Sequence, residues 1–173
     1  MAINAHAQAI LRPASPLFIA ASLALAFAFN LVAWPREWPM PDLLALVLVF
    51  WNIRQPRRVG IGLAWIFGLL MDVHRAGVLG EIALAYTLMS YLAISIHRRV
   101  LWFSVWGQAV HVLMLFFMAQ VVAAGLRGLM GGVMPHPSFL LSPVFTALLW
   151  PFATAVLMAP QRRPLDPDEN RPL

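Results

Sequence analysis

Asp72 and Glu81 are the residues best placed for specific chemistry. They flank a short segment that holds His74, Arg75 and Gly77, at the junction of two apolar runs. An acid at membrane depth needs a partner or a task, and Arg75 is the local cation for either one. An outward-facing polar cluster of Asp72, His74, Arg75 and Glu81 is one expectation; two solvated carboxylates at helix ends is the other. Asp72 closes its apolar run, where the negative end of a helix dipole disfavours a carboxylate. Helix stability therefore does not account for it, and a tertiary contact is expected.

Ser104, Gln108 and His111 lie at i, i+4 and i+7, a polar stripe along one helix face. His111 has no second His four residues on, so the H-E-x-x-H pattern of a zinc site is missing. Interhelical hydrogen bonds are the expected use of the stripe. There is no G-x-S-x-G, no G-x-G-x-x-G, no lysine for a Walker loop and no cysteine for thiol chemistry. No catalytic residue, metal or cofactor is expected.

The elements that position these residues are built around small side chains. Gly60, Ala64 and Gly68 recur every fourth residue, and Asp72 continues the row. Gly80, Ala83, Thr87 and Ser90 share a face of the next run, and Ala20, Ala24 and Ala28 one of the first. Such rows let helix backbones approach where lipid supplies no hydrophobic drive. Gly60, Gly62, Ala64, Gly68, Asp72 and Gly80 are therefore candidates for helix packing or partner binding.

Six apolar runs can be marked: 17–34, 43–53, 59–73, 78–96, 101–126 and 139–158. Of the 173 residues, 61% are hydrophobic and 11% charged, against roughly 45–50% and 25% in a soluble domain. A soluble fold could not hide that much apolar surface, whereas a polytopic membrane protein need not. A crossing takes about 20 residues, so the second and third runs are short. They read as two brief spans, with a re-entrant hairpin as the competing reading. The expected architecture is an all-α bundle of six transmembrane helices, two of them short. It occupies residues 17–159, between an N-terminal segment 1–16 and a Pro-rich, charged tail 160–173.

All 12 basic residues are Arg. With both termini in the cytoplasm, nine arginines fall inside, including Arg54, Arg57, Arg58, Arg98 and Arg99. Three fall outside: Arg36, Arg75 and Arg127. That obeys the positive-inside rule, and the hairpin reading would bury three arginines in lipid. The net charge of +5 thus reflects topology, and no nucleic-acid partner is expected. The first run continues to Trp34, too far for a signal-peptide core, and reads as a retained span. Pro143 and Pro151 should bend the last run, and Trp34, Trp38, Trp102 and Trp106 fall near the expected interfaces.

Three blocks carry a family resemblance. The first runs from Pro41-Asp42-Leu43 through Phe50-Trp51 to Pro56-Arg57-Arg58-Val59-Gly60-Ile61-Gly62. The second is Gly62, Gly68-Leu69-Leu70-Met71-Asp72 and Leu79-Gly80; the third is Leu149-Trp150-Pro151. Trp106-x-Gln108 is a weaker fourth point. In order and spacing, over about residues 39–157, these blocks resemble the MreD family of bacterial rod shape-determining membrane proteins. The resemblance implies a non-enzymatic, multi-pass component of the inner membrane that serves cell-wall elongation. It implies MreC as the main partner, with MreB, RodA and a penicillin-binding transpeptidase in the same complex, and membrane lipids around it. It also implies a likeness to the six-helix substrate-binding subunits of energy-coupling-factor transporters. A small-molecule-binding transporter subunit is accordingly the alternative reading, with Asp72, His74, Arg75 and Glu81 as its pocket.

Overall fold

The computed structural model describes residues 14–32, 38–132 and 136–161. Trp34, Arg36, the N-terminal segment through Pro13 and the tail from Arg162 onward lie outside these residues. All regular structure among the described residues is helical. The helices are α1 (Pro16–Asn30), α2 (Leu43–Arg54), α3 (Gly60–Arg75), α4 (Glu81–Val100), α5 (Val105–Leu129), α6 (Ser142–Leu148) and α7 (Trp150–Met158). Short 3-10 turns, Pro137–Leu141 and Ala159–Gln161, extend α6 and α7 at their outer ends, so residues 137–161 form one interrupted rod.

Local chemistry sets most of the boundaries. Ser15 caps α1 by accepting from the Phe18 amide at 3.2 Å, and Pro16 opens the first turn. Ser104 accepts from the Gly107 amide and starts α5. The α6–α7 break at Leu149 follows from Pro151, which offers no N–H to the carbonyl of Ala147. Pro143 makes no break, because it sits at the start of α6, where the missing donor costs nothing.

The short α2 is the core of the bundle. Every residue from Leu44 to Ile53 is buried, as expected for a helix that is apolar all round. Its sides are covered by α1, α4 and the α6–α7 rod. Phe50 packs on Trp150 and Trp51 on Phe18, with ring centroids 6.0 and 6.1 Å apart. Twelve residues span only ~18 Å, which suits a helix wrapped by protein. α3 packs chiefly on α4, not on α2, so α2 and α3 do not form a paired hairpin.

Side-chain bonds fix the helix directions. Asn30 and Asp42 join one end of α1 to the start of α2, and Trp51 donates to Ser22 farther down both helices. Tyr86 reaches Asp42 from near the start of α4, so α2 and α4 run the same way. The two ends of the bundle are called here the Asp42 end and the Arg54 end. Two rods, Val105–Leu129 and Pro137–Gln161, are long and apolar enough to cross a membrane. Large apolar side chains, among them Trp65, Ile66, Leu84, Met114, Phe117 and Phe152, stand exposed on the outside of the bundle.

Candidate functional site: carboxylate clamps at the Asp42 end

Asp72, Glu81 and Asp42 each fasten helices together at the same end of the bundle. The buried Asp72 carboxylate lies at the end of α3 and accepts three backbone N–H groups across the turn. Oδ2 takes those of Gly80 at 2.9 Å and Ala83 at 3.1 Å, and Oδ1 takes that of Ile82 at 2.8 Å. These include orphan donors of the first turn of α4. Gly80, the cap residue of α4, has no side chain to satisfy them. Asp72 therefore caps the following helix. Its charge sits at the unfavourable end of α3 but at the favourable end of α4, which resolves its odd place in the sequence.

Gly80 is where it is because of its backbone. Its φ of +96° lies in the left-handed region, open to glycine at little cost. It is not a packing glycine: a Cβ there would meet nothing within 4 Å. The same correction applies to Gly60, whose φ is +63°, and to the exposed Gly62, whose surroundings are likewise open. Ala64 and Gly68 do pack. Ala64 is fully buried, and a Cβ on Gly68 would lie 2.4 Å from the Ala83 Cα. The small-residue row is thus buried from Ala64 through Asp72, where α3 meets α4, and open at Gly60.

Glu81 opens α4 and is 2% exposed. Its partner is Arg127 in the last turn of α5, not Arg75. The pair is bidentate: Nε donates to Oε2 at 3.0 Å and Nη2 to Oε1 at 2.5 Å. Fork geometry of this kind is the strong form of the ion pair. Each charge also sits at the helix end whose dipole favours it. His74 and Arg75 are exposed and take no hydrogen bond or ion pair among the described residues. The four polar residues expected as one cluster therefore serve two separate clamps and a free surface.

Asp42 is the residue that sequence reasoning undervalued. Oδ1 accepts from Asn30 Nδ2 at 2.7 Å and from the Ala45 amide at 2.9 Å. Oδ2 accepts from the Tyr86 hydroxyl at 2.6 Å, and the Asp42 amide donates to Thr146 Oγ1 at 3.0 Å. One residue thereby caps α2 and ties it to α1, α4 and α6. Next to it, Ser142 donates to the Met40 carbonyl. An acid just before an apolar run is a cap signal, and that much was readable. Its partners stand 12, 44 and 104 positions away, beyond any local pattern.

The stripe on α5 divides by role. Ser104 is the exposed helix cap. Gln108 is buried, donates to the Phe103 carbonyl at 3.0 Å and accepts from Trp150 Nε1 at 3.4 Å. It alone of the three makes an interhelical bond. His111 pairs with the Gly107 carbonyl of its own helix at 2.8 Å and lies against the Phe103 ring. Trp150 and Gln108 belong to two of the resemblance blocks, and the fold brings them together.

No group of three or more His, Asp or Glu among the described residues is arranged to hold a metal. What the Asp42 end can do chemically is hold: its carboxylates accept from backbone amides, an amide side chain, a phenol and a guanidinium. A family model described as rod shape-determining protein MreD matches residues 12–159. The rod shape-determining protein MreD of Haemophilus influenzae is 26% identical over 141 residues, 80% of this chain and 87% of that one. No solved structure matches, so the expected likeness to energy-coupling-factor transporter subunits has no structural support.

Proposed function

The chain belongs to the MreD family of rod shape-determining proteins, and from that premise we propose that it is a non-catalytic membrane scaffold of the cell-wall elongation machinery. In this reading it spans the inner membrane six times with both termini in the cytoplasm and binds MreC. MreB, RodA and a penicillin-binding transpeptidase complete the assembly. Residues 17–159 form the membrane domain, and 160–173 a cytoplasmic tail.

The observation that carries the reading is the use made of the acids. Asp42, Asp72 and Glu81 are the acidic residues of the described bundle, and each is engaged in joining helices. An end cross-linked in this way suits a docking platform. The nine-to-three arginine split supports placing the Asp42 end outside, toward the compartment where the cell wall is built. The exposed apolar belt supports a lipid setting for helices too short to span unaided. The groove between α3, α4 and the end of α5, lined by Trp65, Leu79, Ala83, Leu84 and Leu126, supports a partner helix at that end.

Depletion in the native bacterium tests the function. Rod-shaped cells should round up as the protein falls and recover when the full chain is restored. Cells that remain rods after complete depletion would overturn the assignment.

A further inference from the structure

At the opposite end of the bundle the charge balance is one-sided. Arg54, Arg57 and Arg58 end α2 and fill the turn to α3, and Arg98 and Arg99 lie in the last turn of α4. The described residues place no carboxylate at this end, and none of these five arginines has an acidic partner among them. The two groups stand at the same level. Tyr86 bonds Asp42, and both Asp42–Arg54 and Tyr86–Arg98 are steps of twelve residues on helices that pack side by side. Each step is ~18 Å of helix.

Arg54 is the telling member. It is half-buried, and its guanidinium carbon lies 5.4 Å from the centre of the Phe50 ring. The aromatic face and the C-terminal dipole of α2 offset part of its charge. Neither is an anion, and no acceptor among the described residues takes its N–H groups. Arg58 is partly committed, through Nη1 to the Ala14 carbonyl at 2.9 Å, while Arg57, Arg98 and Arg99 are exposed.

The neighbours of this rim point to lipid. Directly after Arg98 and Arg99 come Leu101, Trp102, Phe103 and Trp106, all exposed, with Trp102 at 91%. Indoles beside cationic side chains mark the headgroup level of a bilayer. Guanidinium forks match phosphate oxygens in pairs, which an ammonium does not. We propose that the Arg54–Arg98 rim is a binding site for the phosphate of an anionic phospholipid of the inner leaflet. Its acyl chains would lie against the exposed aromatic surface at the start of α5. The proposal rests on the reading that the Arg54 end faces the cytoplasm.

The test uses the full chain in nanodiscs of phosphatidylcholine, alone or doped with phosphatidylglycerol, and compares lipid adducts by native mass spectrometry. The wild type should retain phosphatidylglycerol over phosphatidylcholine. Arg54→Gln should weaken that preference about five-fold and Arg54→Gln with Arg98→Gln roughly thirty-fold. Arg54→Lys with Arg98→Lys keeps the charge for insertion and should keep the preference for phosphatidylglycerol while holding that lipid less tightly than the guanidinium forks do, so a folding defect in the Gln variants leaves the question decidable. Inorganic phosphate should not compete, since it lacks the chains. Equal retention of the two lipids by the wild type, or phosphatidylglycerol held as tightly by the Lys double variant as by the wild type, would overturn the proposal. So would displacement of the lipid by an acidic peptide at equal concentration, which would assign the rim to a protein partner. A correctly inserted protein with no lipid preference would remove the site and leave the topology standing.

Discussion

Asp72 and Asp42 are both buried or half-buried carboxylates that cap helices, yet they should respond differently to the same substitution. All three partners of Asp72 are backbone N–H groups, which only donate. In Asp72→Asn the new NH2 must face at least one of them, and a buried unsatisfied donor costs about 1–3 kcal/mol. Asp72→Ala loses every acceptor and should be worse. At Asp42 the Oδ2 partner is a phenol, which can turn and accept. Asp42→Asn can keep its oxygen toward Asn30 and Ala45 and donate to Tyr86, so the loss should be under ~1 kcal/mol. Thermal unfolding of the purified variants in detergent checks the order: Asp72→Ala lowest, then Asp72→Asn, then Asp42→Asn near wild type. Of these two residues, the sequence points to a job for Asp72 because its charge contradicts its own helix. It hides the job of Asp42, because an ordinary helix cap is sufficient reason for an acid there.

At the scale of elements, the α3–α4 contact depends on one glycine. A Cβ on Gly68 would stand 2.4 Å from Ala83 Cα and 2.8 Å from its amide nitrogen. Those are backbone atoms, so relief requires the helices to part. Gly68→Ala should cost about 1–3 kcal/mol, as overpacking does in tight cores. Gly62, six residues earlier and open to its surroundings, should behave oppositely. Gly62→Ala is expected to be neutral or to stabilise by up to ~1 kcal/mol through helix propensity. Membrane abundance and unfolding temperature of the two variants read this directly; similar losses in both would refute the packing account. Periodicity in the sequence marks the row but cannot separate glycines that meet a neighbour from those that shape a turn. Gly60 and Gly80 belong to the second kind. The six apolar runs do locate the helical rods. The shortness of α2 becomes intelligible only when its burial on all sides is seen. The break at Leu149 was readable from Pro151; the pairing of Glu81 with Arg127, 46 residues on, was not.

For the whole molecule, the two ends divide the labour. Among the described residues, the Asp42 end holds the carboxylates and is fastened by them; the Arg54 end holds arginines without an acidic partner and exposed indoles. Between them the outer surface is apolar. Family membership sets the role in rod shape, and in the proposed reading the fastened Asp42 end is the surface that MreC recognises. The most direct measurement is capture of the affinity-tagged full chain from native membranes after mild crosslinking, with MreC quantified in the eluate. The account predicts MreC in near-stoichiometric amount with wild type, and a loss of MreC that follows the loss of folded protein in Asp72→Ala. A wild-type protein at normal abundance that brings down no MreC would contradict it.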